Sequence, residues 1–305
     1  MSTKDKIGLW VRAVRAPFFS ATIMAAVIAG ALAYSEGKFS WLYLFSAIFI
    51  IAGSNCGINL INDYFDHKSK NDELNEYFGP FSGGSRVIQD KLINPRSILI
   101  VGIASFVTVS LVGLYFVIFV NFHLLWFGLA AVVLGYFYTA TPLKFGYRGF
   151  GEILVFIKSG PLAVCGTYLL FTGSISLEAI VISIPQGLLI TAILYINEFP
   201  DYKADKLANK KHIIVRIGRK RARIFYAVLI VAIYLSVLIP VALQILPIYL
   251  LAIFITLPLA IQAVLTTLKN YDNERAIIPA QAKTILLTLS SGIIITGGYI
   301  VDKFV

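Results

Sequence analysis

Two short segments of this 305-residue chain repeat one arrangement of amide and carboxylate side chains. Each has an Asn, an acidic residue directly after it, two further residues and then an Asp, at residues 62–66 and 197–201. Asp72 follows the first segment and Asp205 the second. Side chains four positions apart share a helix face, so each segment points several oxygen ligands one way. Mg²⁺ prefers such carboxylate oxygens together with substrate phosphate.

The two segments together predict a metal site. The alternative is that they are solvated loop acids that pair with nearby Lys and Arg side chains. Crowded carboxylates near an apolar phase persist mainly where a cation or water compensates them, and two matching segments favour the metal. The predicted ligands are Asn62, Asp63, Asp66, Asp72, Asn197, Asp201 and Asp205. A histidine site is not expected, because His67, His123 and His212 lack the spacing of zinc ligands.

The elements that must position these acids are membrane spans. The chain is 58% hydrophobic with a mean hydropathy of +0.81, well above a soluble domain. Apolar runs recur near the ~20 residues that a helix needs to cross a bilayer. We predict a single all-α domain over residues 1–305, a bundle of about nine transmembrane helices. The predicted spans are 17–34, 41–61, 97–119, 122–138, 150–172, 177–197, 224–243, 246–268 and 284–301.

The basic residues predict the orientation of this bundle. With nine spans, 23 of the 26 Lys and Arg residues fall on the amino-terminal side, which the positive-inside rule makes cytoplasmic. Lys38 and Lys303 fall on the other side, and Lys158 lies within the fifth span. The acidic segments would then lie in cytoplasmic loops at residues 62–96 and 198–223. Anionic membrane lipids account for the net charge of +10, so no nucleic acid partner is expected.

At these residues the chain resembles the UbiA superfamily of intramembrane prenyltransferases. Members carry an NDxxD-type motif after the second helix, matched by residues 62–66, and a DxxxD motif after the sixth, matched by residues 201–205. The segment from Tyr138 to Lys144 resembles a third motif of the family, which lies near the diphosphate, and Arg148 continues that likeness. The resemblance covers nearly the whole chain and implies the family's helical bundle.

The resemblance also implies a reaction. Mg²⁺ held by the two Asp clusters would bind a polyprenyl diphosphate and assist ionisation of its allylic C–O bond, after which an aromatic acceptor attacks the cation. The implied catalytic residues are Asp66, Asp201, Tyr138 and Lys144, and the implied diphosphate ligands are Lys144, Arg148, Arg86 and Arg15. For Arg15, the sequence favours the alternative of a basic anchor at the membrane surface.

One departure from the ubiquinone-type pattern bears on the acceptor. Lys70 stands where that branch has a third Asp, and the next Asp is Asp72. This spacing, with the Gly83-Gly84 pair downstream, is more like the menaquinone-pathway branch, which prenylates 1,4-dihydroxy-2-naphthoate. The two glycines would suit a flexible cover over the site.

Other functions remain open from the sequence. Family members with other acceptors use 4-hydroxybenzoate, homogentisate, a lipid glycerol or a tetrapyrrole. A cation-coupled transporter also carries membrane-embedded acids and repeats, and Pro185 with Gly187 leaves room for a broken helix. Against a transporter, the acids are predicted at helix ends on one side of the membrane. A CDP-alcohol phosphotransferase would need a Gly- and Arg-bearing signature between the acids, which is missing.

Overall fold

The computed structural model describes residues 3–75 and 77–305, with side chains from Asp5 onward, so the side chain of Lys4 in the basic count lies outside it. Within these residues the chain is helical and has no strand, which confirms the predicted all-α class. The α-helices are α1 Thr3–Ala13, α2 Phe19–Ser35, α3 Trp41–Lys68, α4 Pro95–Phe119, α5 Leu124–Tyr136, α6 Gly151–Ile157, α7 Ala163–Thr172, α8 Leu177–Leu207, α9 Ile213–Ile217, α10 Arg219–Ala242, α11 Leu257–Asn270 and α12 Ile278–Asp302. Short 3₁₀ segments cover Ala16–Phe18, Phe145–Arg148 and Ile248–Thr256, and a π segment covers Lys158–Leu162.

Eight helical stretches in the described residues are long and apolar enough to cross a membrane. They correspond to eight of the nine predicted spans. The remaining prediction, at residues 122–138, falls on α5, whose 13 residues rise about 20 Å against the ~30 Å of a hydrocarbon core. The count of nine spans therefore stays a prediction. Large apolar side chains such as Phe119 and Ile255 are exposed on the outer surface, as expected where lipid is the solvent.

Helix α8 runs through the centre of the bundle and contacts α2, α6, α7, α10 and α12. Its first turn is capped by the Ser176 hydroxyl, which accepts the backbone N–H of Ala179 at 3.1 Å. The helix continues through Pro185 and Pro200, and its buried residues, Ile196 among them, form much of the largest apolar core. The broken central helix that a transporter would suggest is therefore not found here.

Both helices that carry the acidic segments extend beyond the loop boundaries expected from hydropathy. The segment 62–96 is helical as far as Lys68, and the segment 198–223 is helical as far as Leu207. Hydropathy marks where a chain leaves the apolar phase, whereas backbone hydrogen bonding continues as long as the polar side chains find partners. The acids within residues 62–66 and 197–205 thus project from helix ends, whereas Asp72 lies in the loop after α3.

The predicted fifth span is a helix interrupted by the π segment Lys158–Leu162, in which Pro161 supplies no backbone N–H. Gly160 in this segment lies directly against α8. A Cβ atom there would lie 2.5 Å from the carbonyl oxygen of Ser183 and 2.8 Å from the Cα of Gly187. Only glycine allows this approach, which fixes the π segment and its first residue beside α8.

Candidate active site

The ends of α3 and α8 face each other across one cavity of about 240 Å³. The loop after α3 and the start of the chain close its other sides. Eight of the residues selected from the sequence line this cavity: Arg15, Asn62, Asp66, Asp72, Tyr138, Asn197, Asp201 and Asp205. The structure therefore brings together two acidic segments that are 135 positions apart in the chain.

The loop after α3 holds the carboxylates of α8 in place. The side-chain amide of Asn71 donates to Asp205 Oδ1 at 2.9 Å, and that of Asn75 donates to Asp201 Oδ1 at 2.8 Å. The backbone N–H of Gly83 donates to the other oxygen of Asp201 at 3.3 Å. Each α8 carboxylate is thus oriented by donors from the first half of the chain.

Lys210 supplies a positive charge between the two acidic helix ends. Its Nζ lies 3.6 Å from Asp66 Oδ2 and 3.6 Å from Asp205 Oδ1. Burial alone would lower the pKa of Lys210, but the carboxylates of Asp205 and Asp66 outweigh it and hold the pKa well above its usual value. Both helix ends therefore share the ammonium of Lys210.

Asp63, a predicted metal ligand, does not line the cavity. Its Oδ1 accepts a hydrogen bond from the Arg15 guanidinium at 2.5 Å, and its Oδ2 accepts one from the Ser85 hydroxyl. Asp63 directly follows Asn62 in the helix, so its side chain points to a different face from those of Asn62 and Asp66. Asp63 therefore holds Arg15 in the cavity wall, a role the sequence did not indicate.

Asp72 lies in the cavity wall beside the glycine pair. Gly84 has φ +75°, and a Cβ atom there would lie 2.8 Å from Asp72 Oδ2, so both conformation and space require glycine. Burial raises the pKa of Asp72 well above its usual range, and the nearby carboxylates of Asp66 and Asp63 raise it further.

Three basic residues expected to bind diphosphate lie outside the cavity wall. The Lys144 ammonium lies 5.2 Å from the centroid of the Tyr147 ring. The exposed Arg148 donates to the carbonyl oxygen of Pro142 at 3.1 Å, and Arg86 donates to the carbonyl oxygen of Asp72 at 3.0 Å. None of the three lines the cavity, so proximity in sequence to the motifs does not place them in its wall.

Two tyrosines border the acidic cavity. Tyr138 lines it, and burial raises the pKa of its hydroxyl above the usual value, so the hydroxyl stays protonated. The Tyr147 hydroxyl donates to Asp66 Oδ1 at 2.6 Å and lies 2.7 Å from the Ser69 hydroxyl. Tyr147 therefore fixes the orientation of Asp66, and the sequence did not single it out.

A buried histidine stands behind the α8 acids. His212 Nε2 lies 2.9 Å from Asp205 Oδ2, and Nδ1 lies 3.3 Å from Glu198 Oε2, with Glu152 completing the group. Burial would lower the pKa of His212, but Glu198 and Asp205 outweigh it and raise the pKa to about 10. This direction favours an imidazolium that pairs with the two carboxylates. Nothing in the spacing of these residues along the chain indicated this contact.

A second, apolar cavity of about 440 Å³ adjoins the first. The two share five lining residues: Thr22, Asn55, Ile58, Lys158 and Ser159. The walls of the second are mostly aliphatic and aromatic side chains from α3, α4, α5 and α7, including Phe116, Phe127 and Leu170. An acidic chamber thus joins an apolar one inside the bundle, an arrangement that suits a ligand with a polar head and an apolar tail.

The donors around the acidic cavity fit magnesium. Carboxylate and amide oxygens predominate, the ligand type that Mg²⁺ prefers when it also binds phosphate. Five carboxylates line the wall, from Asp66, Asp72, Glu198, Asp201 and Asp205, and at this end of the cavity they face two basic side chains, Arg15 and Lys210. An added divalent cation would reduce that excess of negative charge.

The fold and this site define a helical membrane protein with an acidic cavity at one end of its bundle. Residues 23–287 match the profile of the UbiA prenyltransferase family. Because the match covers most of the chain, the protein belongs to this family and is an integral membrane prenyltransferase.

Curated relatives place it near the naphthoate branch. The chain is 28% identical over 296 residues to a 2-carboxy-1,4-naphthoquinone phytyltransferase of Synechocystis, covering 95% of this chain and 92% of the relative. It is 27% identical over 303 residues to a 1,4-dihydroxy-2-naphthoate octaprenyltransferase of Bacillus subtilis, covering 99% and 95%. These similarities bear out the predicted likeness to that branch.

Solved structures share the fold. A UbiA homologue from Archaeoglobus fulgidus bound to DMAPP and Mg²⁺ has a TM-score of 0.62 at 17% identity, covering 94% of this chain and 99% of the homologue. A digeranylgeranylglyceryl phosphate synthase has a TM-score of 0.65 at 18% identity, covering 97% and 99%. At this identity the likeness establishes the helical architecture.

Proposed function

We propose that this prenyltransferase transfers a polyprenyl group from a polyprenyl diphosphate to 1,4-dihydroxy-2-naphthoate, with Mg²⁺ as its metal. The observation that carries the proposal is the junction of two chambers, one acidic and one apolar, beside the paired ends of α3 and α8. A polyprenyl diphosphate has an anionic head, which a metal ion would hold in the acidic chamber, and an apolar tail, which suits the apolar chamber. The acceptor is taken from the name of the Bacillus subtilis relative, a 1,4-dihydroxy-2-naphthoate octaprenyltransferase.

The head of the substrate belongs at the acidic end. Asp66, Asp72, Asp201 and Asp205 would hold Mg²⁺, with Asn62 and Asn197 as neutral oxygen ligands or orienting groups. When bound, the metal neutralises charge that grows on the leaving diphosphate. Arg15 and Lys210, which line the same wall, supply further positive charge and replace Lys144, Arg148 and Arg86 in this role.

The remaining steps use the chain's own residues. The allylic C–O bond breaks as the diphosphate leaves, and the isoprenoid tail stays in the apolar chamber, where walls such as Phe127 and Leu170 exclude water from the cation. Tyr138 lines the acidic chamber, where the face of its ring would stabilise the positive charge. The acceptor ring then attacks the allylic carbon, and the ring loses a proton.

A transfer assay tests this function. Purified protein in lipid nanodiscs would receive Mg²⁺, radiolabelled polyprenyl diphosphate and 1,4-dihydroxy-2-naphthoate, with 4-hydroxybenzoate, homogentisate and a lipid glycerol in parallel. We expect transfer to the naphthoate, and a loss of about a hundredfold or more in Asp66→Asn and Asp201→Asn. Asp302→Asn, an exposed acid at the end of α12, is the matched control. Absence of transfer to every aromatic acceptor, or full activity of both variants, contradicts the proposal.

The orientation is also a proposal: the amino terminus and the acidic site face the cytoplasm. The basic residues support it, because 23 of 26 fall on that side if nine spans are present. Cysteine introduced at the exposed Lys203 should react with a membrane-impermeant maleimide only after cells are permeabilised, and cysteine introduced at the exposed Lys38 should react in intact cells. The reverse pattern would invert the topology.

A further inference from the structure

Lys158 is a basic residue inside a membrane span that has no acidic partner. It begins the π segment in the stretch Gly151–Thr172, one of the eight candidate spans. Its Nζ donates to Asn55 Oδ1 at 2.8 Å, and no carboxylate in the described part of the chain lies within ion-pair distance of it. A charge at membrane depth is costly and persists where it meets a counter-ion or a ligand.

The neighbours of Lys158 are already satisfied by other groups. The Asn55 amide nitrogen donates to Thr22 Oγ1 at 2.9 Å and to the Ile51 carbonyl oxygen at 3.0 Å. An ammonium has three N–H donors, and Asn55 accepts one of them. Lys158 lines both the acidic and the apolar cavity, as does its neighbour Ser159, whose hydroxyl makes no hydrogen bond within the described residues. Unused donors of two adjacent residues therefore face the junction of the chambers.

The position of Lys158 separates it from the diphosphate end. Its partner Asn55 precedes Asn62 by seven residues and Asp66 by eleven on the continuous helix α3. At 1.5 Å per residue these separations are about 10 Å and 16 Å along the helix axis. The anion that Lys158 meets is therefore a different group from the diphosphate held at the acidic end. A polyprenyl tail has no charge, so an anion at this depth would not be part of the prenyl donor.

We propose that the Lys158 ammonium, with the Ser159 hydroxyl beside it, binds the carboxylate of an aromatic acid acceptor at the junction of the two cavities. The inference rests on the proposed function and adds the group that selects the acceptor. The acid would enter with its carboxylate towards Lys158 and its ring between that ammonium and the acidic end. The ring is thereby placed where the allylic carbon emerges from the diphosphate site. Lys158 is a specificity-determining residue for aromatic acids over neutral phenols.

Equilibrium binding tests the contact without any transfer. Wild-type protein in nanodiscs of zwitterionic lipid would be titrated with 1-hydroxy-2-naphthoate and with 1-naphthol, which lacks the carboxylate, and the fluorescence of the ligands would be followed. A hydrogen-bonded charge pair of this type corresponds to about a tenfold to hundredfold change in affinity. We expect Lys158→Met to lose that factor for the acid and less than about twofold for the naphthol. Lys158→Arg should keep most of the acid affinity.

The controls separate charge from folding. Lys38→Met removes an exposed lysine next to Glu36 and should leave both affinities unchanged. If Lys158→Met does not give a monodisperse protein, Lys158→Gln removes the charge and keeps a donor for Asn55. Equal losses for acid and naphthol, or no loss for the acid, overturn the proposal. Competition of the acid by added anionic lipid, with the same dependence on Lys158, would assign the site to a lipid head group and also overturns it.

Kinetics then connect the contact to transfer. In an active enzyme, Lys158→Met should raise the KM for 1,4-dihydroxy-2-naphthoate by about tenfold or more and leave the KM for the polyprenyl diphosphate unchanged. An increase in the KM for the polyprenyl diphosphate alone overturns the assignment of Lys158 to the acceptor. If the wild type transfers nothing but the acid still binds through Lys158, the proposed function fails and this site stands. If transfer proceeds but binding of the acid does not change in Lys158→Met, only the proposed acceptor site is wrong.

Discussion

At the residue scale, the acids of the two motifs have different environments despite their matching spacing. Asp66 and Asp201 line the cavity and accept hydrogen bonds from Tyr147 and Asn75, whereas Asp63 is turned to Arg15. Such supporting contacts decide which oxygen points at a ligand. Variants of the supporting residues should therefore alter metal use without removing any metal ligand.

Tyr147 gives the first prediction at this scale. Tyr147→Phe removes the hydroxyl that donates to Asp66 at 2.6 Å. Loss of a contact that orients a ligand typically costs about tenfold or more in metal affinity, so the Mg²⁺ concentration for half-maximal transfer should rise by that factor. The measurement is a magnesium titration of transfer, with Tyr115→Phe on the exposed face of α4 as control. An unchanged magnesium dependence would remove Tyr147 from the site.

His212 gives the second prediction at the residue scale. His212 is the buried partner of Glu198 and Asp205, so His212→Leu leaves the buried Glu198 carboxylate without a positive partner, whereas Asp205 keeps Lys210. Breaking a buried pair in this way costs about 3 kcal/mol or more, which should appear as a clear fall in the thermal midpoint of the purified protein. Adding Glu198→Gln to His212→Leu should restore part of the midpoint. A histidine variant as stable as the wild type, with or without Glu198, would contradict this pairing.

At the element scale, the site depends on how closely the interrupted span packs on α8. Gly160 leaves no space for a side chain, since a Cβ atom would lie 2.5 Å from the Ser183 carbonyl. The contact between Gly160 and α8 also sets how deep Lys158 lies in the bundle and where Ser159 is placed. Both the stability of the bundle and the proposed binding of the acceptor are therefore expected to depend on Gly160.

Gly160→Val is the prediction that belongs to this contact. The added branched side chain should separate the π segment from α8, lower the thermal midpoint by several degrees and weaken binding of 1-hydroxy-2-naphthoate. Gly297→Val is the matched control, because a Cβ atom at Gly297 in α12 meets nothing within 4 Å. If both variants behave alike, the close packing at Gly160 has no special part in the site.

At the scale of the whole molecule, the bundle combines a polar end with an apolar interior. Acids, Arg15 and Lys210 gather at one end of α3 and α8, and the apolar chamber extends among α3, α4, α5 and α7. The volume of that chamber should limit how well a long isoprenoid is accommodated. A large side chain placed in it should therefore discriminate between substrates by length.

Gly113→Phe is the corresponding prediction. Gly113 lines the apolar chamber, and a Cβ atom there meets nothing within 4 Å, so the ring can enter the empty space. We expect kcat/KM for a long polyprenyl diphosphate to fall by about tenfold or more and that for geranyl diphosphate to change little. The substitution Gly297→Phe, on the outer part of the bundle, controls for the added ring. Equal effects on both chain lengths would show that the tail lies elsewhere.

The sequence alone determined the class of this protein and the core of its site. Hydropathy located eight helical spans and left the ninth, at α5, unconfirmed, because a run of apolar residues is a local property that water and lipid impose directly. The repeated Asn-acid-x-x-Asp spacing predicted that Asn62, Asp66, Asn197 and Asp201 would serve one site, and all four line the cavity. Helical periodicity supports that inference within each segment.

Only the tertiary structure decided which other side chains join them. Lys210 and Arg15 enter the cavity wall, while Lys144, Arg148 and Arg86 are held elsewhere by a tyrosine ring and backbone carbonyls. The buried group of His212 with Glu198 and Glu152, and the junction at Lys158, likewise join residues from different helices. These contacts depend on how helices that are far apart in the chain pack and rotate against one another. The local spacing of residues does not encode that packing.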